Sequence, residues 1–170
     1  MRFVIPTAVL VACSNGPTPG AAAWQEALDR AQISLRDSVQ VAEGDGASAK
    51  KATLRTDGGG VFSVTALANQ AFDDVRVDAV SGTIVSKEPI AFSADDCAGA
   101  ISLGDAISAA EKQVGGEAVQ AGPDDDGHCN TEVIVVSGDK LWEVKIGPKG
   151  ELVEDPEEAD SNEGPDGEEG

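Results

Sequence analysis

The chain has 170 residues, 41% of them hydrophobic, and 31 acidic residues against 12 basic ones give it a net charge of −19. That length and apolar content suffice for one ordinary domain or two small ones with a core, while the charge repels phosphate and disfavours nucleic acid or an anionic lipid surface as a partner. One His, two Trp and no Tyr leave little for general acid–base chemistry beyond carboxylates, and little for a stacking platform.

Met1-Arg2 gives a positive start, residues 3–10 form a short apolar run, and Leu10-Val11-Ala12-Cys13 closes it. The run is far shorter than the roughly 20 residues a membrane-spanning helix needs, and it has the layout of a signal-peptide core. Leu-Val-Ala-Cys resembles a bacterial lipobox. The resemblance implies cleavage before Cys13 and a diacylglycerol on its thiol, with no other cofactor. Ser14 at the next position implies sorting to the periplasmic face of the outer membrane if the cell is Gram-negative. The expected segments are a signal peptide over residues 1–12 and a tether over residues 13–20, whose Ser, Asn, Gly and Pro suit a flexible connector.

Residues 21–31 carry Trp24, Ala27, Leu28 and Ala31 at spacings of three and four, which predicts a short amphipathic helix. Two similar stretches follow. Ile33-Ser34-Leu35-Arg36-Asp37 and Ile101-Ser102-Leu103-Gly104-Asp105 lie 68 positions apart, and so do the turn glycines Gly82 and Gly150. In each stretch the Ser caps a helix and the Asp three positions on answers it, a capping box with Asp in place of Glu. Leu35, Val39 and Ala42 line one face of the first helix; Leu103, Ile107, Ala110 and Val114 line the second. Gly44-Asp45-Gly46 and Gly115-Gly116 stop them.

Alternating residues then predict antiparallel strands. The first copy has them over residues 49–55 and 61–68 and at Val75 and Val77, with a loop over residues 69–73. The second has them over residues 117–121, 131–137 and 141–146, with a last short strand at Leu152. A sheet with one polar face and one helix-covered face fits the period of two. The fold class is α+β: two tandem helix-plus-antiparallel-sheet modules, the first over residues 21–90 with its preceding helix and the second over 91–154. Residues 155–170 form an acidic tail. From Glu151 onward there are ten acidic residues and no basic one, so disorder is expected there.

Ser-Leu-x-Asp opening an Ala-rich helix, a Gly-Gly stop, alternating strands, and Val77-Asp78 followed by Gly82 resemble the PepSY domain of secreted metallopeptidase propeptides and many exported bacterial proteins. The likeness covers residues 33–85 and 101–154. It implies a binding or peptidase-inhibiting module rather than a catalyst.

Cys97 and Cys129 are the thiols left once Cys13 carries lipid, an even pair in a compartment that permits oxidation, and a disulfide between them is expected. Asp124, Asp125 and Asp126, followed by His128 and Cys129, are the metal-ligand candidates. Their order does not match a calcium loop, and zinc needs four ligands where Cys97, His128 and Cys129 offer three soft donors. A solvated turn beside the disulfide is therefore the expectation, with no metal. No nucleophile–base constellation stands out, and Gly58-Gly59-Gly60 lacks the Lys and helix of a phosphate loop.

These readings converge on a lipid-anchored cell-envelope protein that is not an enzyme. It is expected to bind a protein or peptide through sheet edges or charge complementarity and to restrain a peptidase, with the membrane engaged through the N-terminal lipid. The alternative is an acidic envelope protein that binds divalent cations.

Overall fold

The structure is a computed structural model that describes residues 20–44, 46–57, 60–94, 97–125 and 129–159. The expected signal peptide, Cys13 and all of the expected tether but Gly20 lie outside the described residues. So do Asp126, His128 and the residues from 160 onward.

Among the described residues, three helices, α1 (Ala21–Arg30), α2 (Leu35–Ala42) and α3 (Leu103–Val114), pack with eight strands in one antiparallel sheet. The strands are β1 (Ser48–Arg55), β2 (Val61–Ala68), β3 (Ala71–Asp78), β4 (Ile84–Ile90), β5 (Glu117–Pro123), β6 (Thr131–Ser137), β7 (Lys140–Ile146) and β8 (Glu157–Glu158). Their order is β4-β3-β2-β1-β5-β6-β7-β8. The α+β class thus holds, and the two sheets expected from the sequence are one.

Local chemistry sets the helices. The Ser34 hydroxyl accepts from the Asp37 amide (3.1 Å) while the Asp37 carboxylate accepts from the Ser34 amide (3.0 Å). Ser102 accepts from the Asp105 amide in the same way (3.1 Å). Each cap satisfies amides that the first turn would leave bare, a contribution of about 1 kcal/mol. Below them, Leu35, Val39, Ile107 and Ala110 are buried against the sheet face that carries Leu54, Phe62, Val64, Val133 and Val144.

Contacts recur at the offset of 68 positions seen in the sequence, which becomes 69 in the first strand of the second half. The carboxylate of Glu43, just past α2, accepts from the Ala49 amide (2.9 Å), and that of Glu111 in α3 accepts from the Ala118 amide (3.0 Å). Both bonds sit at bulges, one between Ala49 and Lys51, the other between Ala118 and Gln120. Gly82 (φ 70°) and Gly150 (φ 85°) turn the chain in the left-handed region, where a side chain would be strained. Each faces an isoleucine: an added Cβ would sit 3.6 Å from Ile33 at the first and 3.6 Å from Ile101 at the second.

The halves meet at β1 and β5, where Ala52 pairs with Ala121 and Thr53 with Gln120. Ala52 and Ala121 are themselves corresponding residues, so the pairing is that of two similar surfaces about a local two-fold axis. The helices obey the same axis. Gly104 approaches its counterpart Arg36, whose Cγ would lie 3.7 Å from an added Cβ.

Two boundaries differ from the sequence reading, and a fourth strand extends the first half. Residues 69–73 are not a loop: Asn69 (φ 51°) and Gln70 (φ 66°) make a two-residue turn, and β3 begins at Ala71. Two left-handed residues match the twist of a hairpin; Asp73, which reads as loop, is paired with Lys87 of β4 (3.4 Å), and the next residue, Asp74, with Arg76 on its own strand (3.1 Å). Strand β4 continues through Pro89 to Ile90, which an edge position tolerates. The chain past residue 154 still pairs: Trp142 and Glu143 partner Glu158 and Glu157, and the Ala159 amide donates to the Leu141 carbonyl (3.0 Å). Lysines of β7 supply the countercharge there, with Lys140 2.7 Å from Glu158 and Lys145 3.1 Å from Glu154.

Two glycines make the packing testable. At Gly116 a Cβ would collide with the Val136 carbonyl and Val135, so Gly116→Ala should cost about 2–3 kcal/mol in urea unfolding. Gly104→Ala meets only ordinary contacts and should be neutral or stabilise by up to about 1 kcal/mol. Equal effects would contradict the packing described.

Candidate functional site: the cleft and carboxylates beside the disulfide

The elements that carry the predicted site residues converge at one end of the sheet. Cys97 ends the segment from β4 towards α3, and Cys129 ends the connection from β5 to β6. Their sulfurs are bonded, with Cα atoms 5.6 Å apart across 32 positions. A loop of that size stabilises by about 3–4 kcal/mol in the chain-entropy model. Cys129 sits at φ 58°, a left-handed position that a non-glycine residue takes only when its surroundings hold it there.

Between the bridge and the sheet lies a cleft of about 330 Å³, bounded by the start of α3, the start of β1 and the ends of the β5–β6 connection. Ile101, Leu103 and Ala49 give it an apolar floor, and Lys50, Asn130 and Thr131 give it polar atoms. Asp124 also lines it; this residue is 7% exposed, and its amide donates to the Asn130 carbonyl (3.1 Å). Asp125 is exposed. Among the described residues, no group of three or more His, Cys, Asp or Glu side chains is arranged to hold a metal ion.

On the sheet face opposite α2 and α3, Glu132 and Lys145 are cross-strand partners, and Glu143 lies two positions before Lys145. The Lys145 ammonium is 3.1 Å from Glu154 and 3.6 Å from Glu143. Burial and the negative charge of Glu143 and Asp124 push the Glu132 carboxyl up to about 7 against the single opposing charge of Lys145. Burial likewise raises Glu143, and the hydrogen bond to Glu154 raises Lys145. A proton on Glu132 thus relieves crowding among carboxylates. In the sequence, nothing sets Glu132 and Glu143 apart from any other polar residue of an alternating strand. A signal existed only in the Glu-x-Lys of β7 opposite a Glu of β6.

The sheet edges, expected as contact surfaces, are built against pairing. Strand β4 carries a bulge opposite the Arg76–Val77 step, Lys87, and Pro89, which donates no hydrogen bond. Strand β8 is two glutamates long and follows Pro156. Bulges, charges, prolines and short strands are the means by which edges avoid added strands.

Among the described residues no helix is long and apolar enough to cross a membrane. No protein-family model matches the chain, and no curated protein matches it. Among solved structures, the chain is similar to "a putative lipoprotein" from Clostridium difficile 630. The two share 13% identity over 76% of this chain and 95% of that chain, with a TM-score of 0.46, a similarity too loose to carry any property across.

The carboxylate cluster gives a pH dependence of known sign. Glu132 is raised in the folded state from 4.5 to about 7, so the folded chain holds more protons than the unfolded one between those values. Its contribution is fully present below about 4.5 and is lost as pH rises through 7. Glu132→Gln should therefore melt higher than the natural chain at pH 8, with the difference shrinking to nothing towards pH 4.5. A constant difference across that range would contradict the assignment.

Proposed function

We propose that this chain is a lipid-anchored cell-envelope binding protein made of two PepSY-like modules fused through β1 and β5. The module reading is supported by the recurring caps, the two glutamate-to-strand bonds and the two isoleucine–glycine contacts, at an offset of 68 positions throughout except for the strand alanines, which lie 69 apart. The anchor is supported by the lipobox resemblance at Leu10-Val11-Ala12-Cys13. The binding reading rests on one observation above others, the cleft of about 330 Å³ beside the Cys97–Cys129 bridge. It lies at the low end of volumes that hold ligands, with an apolar floor and a few convergent polar groups. Its partner is a protein or peptide, and restraint of a peptidase is the activity the PepSY resemblance implies. The acidic surface favours a partner that is basic at its rim.

The second reading, divalent-cation binding, is favoured by the repulsion that Glu132 feels from Glu143 and Asp124, and opposed by Lys145 beside them and by a spacing that places no three of the described carboxylates to share an ion. Calorimetry with calcium, magnesium and zinc separates the two. Heat and a raised melting temperature support the cation reading, and their absence removes it. For the main reading, the natural chain should incorporate labelled palmitate and fractionate with membranes, and Cys13→Ala should do neither. Affinity capture from an envelope extract should recover a partner whose retention falls as salt rises. Unlabelled natural chain, or capture of nothing at any ionic strength, would overturn the corresponding part.

A further inference from the structure

The molecule has two clefts made of corresponding pieces. One is bounded by Ile33 and Leu35 at the start of α2 and by Ala118 at the start of β5. The other is bounded by Ile101 and Leu103 at the start of α3 and by Ala49 at the start of β1. The helix-start residues correspond at 68 positions and the alanines at 69. The difference lies in the third wall. In the first cleft that wall is α1, which contributes Leu28 and Ala31. In the second it is the segment between β4 and α3, which contributes Ala94, Cys97 and Ala100. The volumes follow the side chains: about 160 Å³ where a leucine stands and about 330 Å³ where alanines and a disulfide stand.

The two segments are fastened differently as well. Helix α1 is held by burial of Trp24 and Ala27, at 1% and 0% exposure, which fills the space it covers. The β4–α3 segment is held by a covalent bond, which fixes a wall without filling the floor. From this we propose that the second cleft takes one branched apolar side chain of a partner peptide, the counterpart of what α1 supplies to the first. The inference rests on the peptide-binding reading above and narrows it to a place and a chemistry. A cleft of about 330 Å³ suits one residue rather than a long segment. Lys50 and Thr131, both partly exposed beside it, offer hydrogen bonds to the carbonyls and amides on either side of that residue.

The test uses the full chain with the Cys97–Cys129 bridge formed, labelled with nitrogen-15 and titrated with N-acetyl-leucinamide or N-acetyl-alaninamide. The leucine probe should shift the amides of Ala49, Ala100 and Thr131 saturably and bind at least about fivefold more tightly than the alanine probe, in line with the extra apolar area. Ala100→Leu, which fills the cleft from its wall, should abolish those shifts. Ala94→Leu serves if the first variant does not retain the native melting transition. Shifts elsewhere on the molecule, equal affinity for the two probes, or undiminished binding in the folded variant would overturn the proposal. Partner capture that is as strong with Ala94→Leu as with the natural chain sinks the cleft and leaves the binding reading intact. Capture of nothing by the natural chain sinks the binding reading itself, whatever the probes do.

Discussion

The pairing of β1 with β5 is the constraint on which the rest of this structure depends. It is a short ladder, Ala52 with Ala121 and Thr53 with Gln120, where the hairpin pairs on either side run for most of a strand. Two features compensate. The alanines at the axis have no exposure, and α2 and α3 close over them with Gly104 against Arg36. Across the same seam the Lys51 stem packs on Gly122, where an added Cβ would lie 3.3 Å from its Cγ. Small residues at the axis bring the two layers close enough for a common core, and larger ones would separate them.

From that axis the two halves run outward with the same parts and diverge at their ends. One ends in β4, a strand of seven residues guarded by a bulge, a lysine and a proline. The other ends in a chain segment laid along β7, held by Lys140 and Lys145. The leading segments diverge likewise: a helix that buries a tryptophan on one side, a disulfide-tied connection on the other. Similar frames with unlike accessories are what leave one cleft narrow and its counterpart open. The functional proposal lives on that difference, and the frame common to both halves supplies its rigidity.

Much of the frame was legible in the sequence. Ser34-Asp37 and Ser102-Asp105 announce helix starts because capping is a local matter of one side chain and one amide. The 68-position offset between Ile33 and Ile101, and between Gly82 and Gly150, marks contacts because a left-handed turn demands glycine and the isoleucine packs against it. Residues 69–73 were misjudged for a physical reason. Asp73 reads as loop until Lys87 on the neighbouring strand neutralises it, and that pairing is not local.

The candidate site was less visible. Cys97 and Cys129 stand out by parity, but the cleft beside them depends on what is small, Ala94 and Ala100, and absence of bulk has no motif. Glu132 is hidden for the opposite reason, since its raised proton affinity comes from burial and from the charges of Glu143 and Asp124, brought near by the β5–β6–β7 meander. The fusion of both halves into one body is the central claim, and native-state hydrogen exchange tests it most directly. The slowest amides of β2 and β6, one strand from each half, should exchange with the same free energy, equal to that of global unfolding. A separate, lower value shared by all amides of either half would show two independent units and contradict the account.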